Sequence, residues 1–238
     1  MYEYFQHDPK LENFRLFSAD HIWTLVLILF LIFLLFIFKK KVKLTRHPVL
    51  IALALILFLS MFVHQVWLIA EGAWTPQSSL PLHLSDFTVI LAIIMLIAKS
   101  SRLFQFLYYA GIASSIQAIL TPNLGQYSFP HFQYIVFFLS HGGVIISCLF
   151  MILAYHFLPT WRSLWASVLI VNVYAGCIYL LNKRIGSNYL YIMKKPENAS
   201  LLDFLGAWPW YLLWMEVFMI VSFLFLYGCI KLKQLRSD

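Results

Sequence analysis

Long apolar runs, separated by short polar stretches, dominate this chain of 238 residues. A helix that crosses a bilayer needs about 20 mostly apolar residues, and seven runs reach or approach that length. They predict transmembrane helices at roughly 21–38, 48–70, 83–98, 103–120, 131–157, 161–181 and 207–230. The pattern therefore predicts an all-α, polytopic membrane bundle of seven transmembrane helices, in which residues 1–238 form a single integral membrane domain.

The third and fourth runs are shorter than the others. The stretch "AKSSRL", which contains Lys99 and Arg102, separates them. Charged residues at a run boundary favour a return to the membrane surface. We therefore expect these two runs to form a tight helical hairpin.

Composition agrees with a membrane protein, because 62% of the residues are hydrophobic and only 11% are charged. A soluble domain is about half apolar and about a quarter charged. The net charge of +7 comes from short basic clusters between apolar runs, which act as orientation signals. This distribution argues against a nucleic-acid partner and leaves membrane lipids as the expected partners, with the oligomeric state undetermined.

The basic clusters also predict an orientation. The first run is followed by "KKKVKLTRH", whereas residues 71–82 and 121–130 contain no Lys or Arg. Loops on the cytoplasmic side carry an excess of basic residues. The N-terminus is therefore predicted outside and the C-terminus inside, in a multi-pass protein of the cell membrane.

Most polar side chains then fall in the outer half of the bilayer, since each helical residue advances about 1.5 Å. Ionisable residues at membrane depth usually face a bundle interior or a water-filled cavity. The asymmetry predicts an outward-facing polar cavity that reaches mid-membrane near His141 and Glu216. The residues expected to bind substrate there are His64, Gln117, Asn172, Trp208, Trp210 and Glu216.

Two of these assignments have structural alternatives. Trp208 and Trp210 flank Pro209 at a helix start, where an interfacial aromatic belt would also place them. Glu216 could instead form a structural hydrogen bond to a helix backbone or to a tryptophan N–H. An unpaired carboxylate at that depth would be protonated or would need a partner.

The stretch "SSLPLHLSDF" at 78–87 contains His83, Ser85 and Asp86. His83 and Asp86 are spaced i, i+3 and share one helix face. A carboxylate that accepts a hydrogen bond from an imidazole fixes its tautomer and raises its basicity. Alternatively, Ser85 or Asp86 caps the helix by accepting bonds from free N–H groups. Capping does not explain the imidazole of His83.

His141 lies about ten residues, or roughly 15 Å, into the fifth predicted span, within "FLSHGGVI". The two glycines after it permit close approach of a neighbouring helix or of a substrate chain. A histidine at this depth could be catalytic, or it could be hydrogen-bonded across helices. The sequence leaves both interpretations open.

Several common catalytic motifs are absent from the sequence, namely GxSxG, HExxH, CxxC and glycine-rich nucleotide loops. His64, His83, Asp86 and His141 could ligate zinc chemically. No ligand spacing supports such a site, so no cofactor is expected.

Three stretches carry a family resemblance: "SLPLHLSDF", "SHGGV" and "NYLYIMKKPENASLLDFLGAWPWYLL". They resemble signatures of the YwaF-type integral membrane proteins of bacteria, over about residues 20–230, which implies a bacterial cell membrane. That family is grouped with a eukaryotic acyltransferase that makes ether phospholipids. The acyltransferase is in turn similar to androgen-induced membrane hydrolases of lipid esters, which use a Cys or Thr nucleophile with a His on another helix.

The resemblance places His83 and His141 on the histidines of the LPLHL and HGG motifs. The family often has a cysteine where this chain has Ser85, and a hydroxyl needs stronger activation than a thiol. Together these features suggest a lipid acyltransferase or lipid-ester hydrolase. His141 would be the general base and Ser85 the nucleophile, while His83 and Asp86 would orient groups or stabilise an oxyanion.

The same cavity would serve a non-enzymatic receptor or transporter for a small polar or lipidic ligand. Such a protein would be stabilised by its ligand without turning it over. A purely structural or assembly subunit is a third interpretation.

Overall fold

The computed structural model describes residues 2–10, 12–196 and 201–235, and these ranges contain helices but no strands. We number the helices α1 (Ala19–Ile37), α2 (Lys39–Leu44), α3 (Arg46–Ala70), α4 (Leu84–Ala98), α5 (Ser101–Phe106), α6 (Ile112–Leu120), α7 (Phe132–Tyr155), α8 (Trp161–Ile185) and α9 (Trp210–Leu235). A π-helical turn, Leu107–Gly111, joins α5 to α6. Short 3-10 turns lie at Tyr2–Phe5, Tyr189–Tyr191 and Leu201–Leu205.

Six helical runs of the described chain are long and apolar enough to cross a membrane. They are 19–37, 46–70, 101–120, 132–155, 161–185 and 210–232. Each coincides with a predicted run to within a few residues. The protein is therefore a multi-pass membrane protein.

The predicted run at 83–98 is also helical, but α4 has only 15 residues. It is about 22 Å long at a rise of about 1.5 Å per residue, whereas the hydrocarbon core is about 30 Å thick. A short helix is tolerated at membrane depth where protein covers its ends. The count of seven full spans, the orientation and the single domain stay predictions.

The predicted hairpin between α4 and α5 has a clear local cause. Lys99 adopts a left-handed conformation with φ +48° and ends α4. The Ser100 hydroxyl then accepts a hydrogen bond from the Leu103 N–H and caps α5. One residue stops the first helix and its neighbour starts the next.

Helix α7 lies at the centre of the bundle and packs against α1, α3, α4 and α6. Its two glycines allow close approach by neighbouring helices, as the sequence suggested: Gly142 faces Ile28 of α1, and Gly143 faces Leu57 of α3. In contrast, α8 and α9 expose most of their apolar side chains. These two helices therefore present the surface expected to face lipid.

Replacing Gly143 with Ala is expected to destabilise the bundle by about 1–3 kcal/mol, because overpacking forces a buried neighbour to move. The added Cβ would lie 2.7 Å from Cδ2 of Leu57, whose side chain is fully buried. Thermal unfolding in detergent measures the loss. Gly176→Ala on α8 is the matched control, since no atom lies within 4 Å of its added Cβ. Equal melting temperatures for the two variants would contradict the packing argument.

One end of the bundle, here called the loop end, gathers four segments: residues 2–18, 71–83, 121–131 and 186–196. The Trp67 indole donates to the carbonyl of Phe5 over 2.5 Å. The Asn123 amide donates to the hydroxyl of Tyr191 over 2.9 Å. The first bond ties the N-terminal segment to α3, and the second ties residues 121–131 to residues 186–196.

Candidate functional site

The intramembrane cluster forms where α4 and α7 meet. Asp86 is the third residue of α4 and His141 the tenth of α7. Their side chains lie 3.8 Å apart, measured from Oδ1 to Nε2. His141 lies about 14 Å along α7, so α4 must begin well inside the bundle. The structure thus places Asp86 at the level of His141 rather than at the rim above it.

Burial differs sharply within this Asp86–His141 pair. The His141 side chain is 1% exposed, whereas that of Asp86 is 41% exposed. The Nδ1 atom of His141 has no hydrogen-bond partner among the described residues, and the ring of Phe137 packs edge-on against the imidazole with centroids 4.4 Å apart. A buried polar atom without a partner is costly and calls for an explanation. Any ligand would reach the pair from the side of Asp86.

His83 is the N-cap residue of α4, yet its side chain makes no capping bond. Instead, Nδ1 accepts a hydrogen bond of 3.3 Å from the backbone N–H of Leu190. A neutral His83 must then carry its proton on Nε2. His83 is also close enough to His141 for the two to interact electrostatically.

The alternative that Ser85 or Asp86 caps α4 finds no support among the described hydrogen bonds. Thr88 donates to the backbone carbonyl of Ser85, and the Ser85 side chain is half-buried. No hydrogen bond between described residues joins Ser85 to His141, whose Nδ1 is unpartnered. A Ser–His couple is therefore not preformed.

The segment 186–196, here called the covering loop, folds over His83. Asn182, 1% exposed, anchors it at the end of α8. Its Oδ1 accepts bonds from the Ser187 hydroxyl (2.6 Å) and the Tyr189 N–H (3.0 Å). Its Nδ2 donates to the Tyr189 carbonyl over 2.9 Å. One buried amide thus fixes the path of the loop at its first turn.

The backbone of the covering loop is strained where it meets His83. Leu190 and Tyr191 have φ values of +61° and +53°, in the left-handed region that non-glycine residues seldom adopt. The bond from Leu190 N–H to His83 depends on this conformation. Strained residues persist only where their surroundings hold them, and here Asn182 is part of that support.

Two tyrosines of the covering loop surround His83. Its ring centroid lies 5.5 Å from that of Tyr189 and 4.8 Å from that of Tyr191. Burial raises the pKa of Tyr191, the hydrogen bond from Asn123 opposes this rise, and the charge of Asp86 adds to it. The phenol therefore stays neutral at physiological pH.

The structure does not bring all the predicted binding residues to this cluster. His64 is half-buried on α3, where its ring stacks on Trp67 with centroids 5.9 Å apart. Gln117 is exposed on α6. Asn172 donates to Oε1 of Glu216 over 3.0 Å and so links α8 to α9. This bond gives Glu216 a structural partner, as the second interpretation of that residue expects.

The two tryptophans lie at the loop end. Trp208 is 55% exposed and Trp210 is 64% exposed. The Trp208 indole donates to the carbonyl of Ile192 over 3.2 Å. Trp208 therefore supports the covering loop, which sequence reasoning did not foresee.

No group of three or more His, Cys, Asp or Glu side chains in the described ranges is arranged to hold a metal ion. His64, one of the four residues considered as zinc ligands from the sequence, stacks on Trp67.

Sequence reasoning missed Tyr189 and Tyr191 as parts of the site. The signal was present, because "NYLYIMKKPEN" begins the longest stretch of the family resemblance. Residues 197–200 of that stretch lie outside the described residues.

The fold and this cluster define a multi-pass helical membrane protein with a carboxylate–imidazole pair inside its bundle. The chain belongs to the TMEM164 family, a family of membrane proteins whose model matches residues 16–227. No curated protein and no solved structure shows a significant match to the chain. The link to YwaF-type bacterial proteins and the bacterial membrane location stay predictions.

Proposed function

We propose that this protein transfers or hydrolyses the acyl ester of a membrane lipid at the Asp86–His141 pair. The observation that carries the proposal is the pair itself, 3.8 Å apart inside the bundle, with a His141 Nδ1 that no group in the described part of the chain hydrogen-bonds. Intramembrane ionisable residues are costly and by default suggest a functional site.

The chemistry follows from the roles that the groups can fill. A hydroxyl attacks the ester carbonyl, and the Asp86–His141 pair accepts its proton. The proton then passes to the departing alkoxide, so charge and atoms balance. The Nε2–H of His83 is the donor available for the developing oxyanion, since its Nδ1 is occupied by Leu190.

The identity of the attacking hydroxyl separates two routes. Ser85 would attack first in an acyl-enzyme route and would be deacylated by a second lipid or by water. A lipid alcohol or water would attack directly in a single-step route. Because no hydrogen bond between described residues joins Ser85 to His141, the direct route is favoured.

The test uses purified protein in phospholipid vesicles with a fatty-acyl-labelled phospholipid and an unlabelled lysophospholipid acceptor. Transfer of the label to the acceptor, or its release as fatty acid, is the expected result. Ser85→Ala is expected to abolish turnover if Ser85 forms an acyl-enzyme, and to change it less than about tenfold in a direct transfer.

The same preparation tests the receptor or transporter alternative. A lipid that raises the melting temperature of the protein, with no label transferred or released, would contradict the enzymatic proposal and support binding alone. His141 is 1% exposed, so catalysis requires the substrate to reach it from the Asp86 side. A binding protein has no such requirement.

A further inference from the structure

The end of the bundle opposite the loop end, here called the basic end, carries an excess of positive charge. It consists of the stretches 38–47, 99–102, 156–162 and 228–235, where α1, α4, α7 and α9 end and α3, α5 and α8 begin. Each stretch contains Lys or Arg, and none contains Asp or Glu. The positive charges therefore have no carboxylate side chain within these stretches to balance them.

The short helix α2 presents the densest part of this charge. Its four lysines are all exposed: Lys39, Lys40, Lys41 and Lys43. No ion pair between described residues involves any of the four. Like charges at this spacing on a helix repel each other. The folded protein therefore carries an electrostatic cost at α2 that an external anion would relieve.

Contacts with the bundle hold α2 in a fixed position. Val42 packs against the main hydrophobic core, and α2 contacts α1, α3 and α7. Just beyond α2, the Arg46 guanidinium lies 5.5 Å from the centroid of the Tyr155 ring at the end of α7. Because Val42 faces the core, the lysines lie on the outer surface of a docked helix.

Two exposed apolar side chains flank the lysines of α2. Phe38, just before the helix, is 52% exposed, and Leu44, its last residue, is 86% exposed. Basic residues combined with exposed apolar ones are typical of helices that lie at a membrane interface. An acidic protein or a nucleic acid would compensate the lysine charges but would offer no apolar layer to Phe38 and Leu44. An anionic lipid leaflet offers both.

We propose that the basic end binds the headgroups of anionic phospholipids, with the four lysines of α2 as its principal contacts. Only Phe38 separates α2 from the apolar helix α1, so the lysines lie within reach of the adjacent headgroups. Clusters of Lys and Arg directly beside a transmembrane helix attract anionic lipids. The ammonium groups form charge-assisted hydrogen bonds with phosphate oxygens. This selection of anionic over zwitterionic lipids is independent of acyl transfer at the Asp86–His141 pair.

The experiment measures the binding of individual lipids to purified full-length protein in neutral detergent by native mass spectrometry. The probes are phosphatidylglycerol and phosphatidylcholine with the same acyl chains. Wild-type protein is expected to bind phosphatidylglycerol at least about tenfold more tightly, because one lysine near an anionic membrane surface contributes about fivefold in affinity. Equal affinities of the wild type for the two lipids would overturn the proposal.

A set of variants assigns the preference to α2. The test variant combines four substitutions: Lys39→Gln, Lys40→Gln, Lys41→Gln and Lys43→Gln. It should lose the preference for phosphatidylglycerol, whereas a variant with arginine at the same four positions should keep it. Lys183→Gln/Arg184→Gln is the control next to the loop end, where both residues are exposed, and it should also keep the preference. A preference that survives in the glutamine variant would overturn the assignment to α2.

Screening by salt supplies a second measurement, which needs no variant to fold. Salt screens exposed charges, so the preference of the wild type for phosphatidylglycerol should shrink as ammonium acetate rises from about 0.05 M to about 0.5 M. A preference that salt leaves unchanged would contradict an electrostatic contact. Lysine-dependent binding of polyglutamate, without discrimination between the two lipids, would overturn the lipid assignment in favour of an acidic protein.

Discussion

Replacing His141 with Gln is expected to lower acyl turnover by about 10²–10⁴-fold, the usual contribution of a positioned acid–base group. Glutamine keeps much of the buried volume and some polarity but cannot accept the proton. The fold should therefore survive while the chemistry fails. Initial rates of label transfer in vesicles, at saturating lipid, measure the loss.

Asp86→Asn is expected to give a loss of similar size, because the 3.8 Å contact makes the two side chains one unit. Groups that act as a unit are strongly non-additive in their kinetic effects. The double variant should therefore be little slower than either single variant. Losses that multiply in the double variant would contradict a shared role for the pair.

His64→Gln supplies the matched control for these variants. His64 is a half-buried histidine of α3 that stacks on Trp67 and lies outside the cluster. The same chemical change there should alter turnover less than about tenfold. If His64→Gln lowered acyl turnover as much as His141→Gln does, the polar cavity predicted from the sequence, rather than the Asp86–His141 pair, would determine activity.

Replacing Asn182 with Ala is expected to cost about 3 kcal/mol or more of stability, because each buried group left unsatisfied costs about 1–3 kcal/mol. The change removes three hydrogen bonds to Ser187 and Tyr189 in a site that is 1% exposed. It also releases the turn that directs the Leu190 N–H to His83. Turnover should fall together with the melting temperature.

Thermal unfolding in detergent measures the stability loss, and hydrogen exchange of residues 186–196 locates it. Arg184→Ala is the control on the same helix, since Arg184 is exposed in the last turn of α8. The control should unfold within about 1 kcal/mol of the wild type. Unchanged exchange of the covering loop in Asn182→Ala would refute its role as anchor.

The lengths of the apolar runs were enough to predict where the membrane helices lie. A bilayer requires long apolar segments whose backbone groups are hydrogen-bonded within the segment. Every predicted run is helical in the structure, and the Lys99 boundary was visible in the charge pattern. The pattern placed α4 to within one residue, at 83–98 against Leu84–Ala98. A rule that counts apolar residues does not register how deep in the bundle a short helix begins.

Depth along a helix was a poor guide to which polar side chains meet. It grouped His64, Gln117, Asn172 and Glu216 with His141, because all fall in the same half of their spans. The structure distributes them around the bundle, since rotation about each helix axis decides the neighbours. Asn172 and Glu216 satisfy each other instead.

The sequence by itself determined a multi-pass helical membrane protein and singled out His83, Asp86 and His141. The length of an apolar run, and the presence of an ionisable residue in or beside it, can both be read directly from the residue types. Only the tertiary structure decided that α4 starts deep enough for Asp86 to meet His141, and that the covering loop closes over His83. Both depend on contacts between segments 55 or more residues apart, with Asn182 and a strained turn holding the loop. Such contacts follow from packing in three dimensions, which no local pattern specifies.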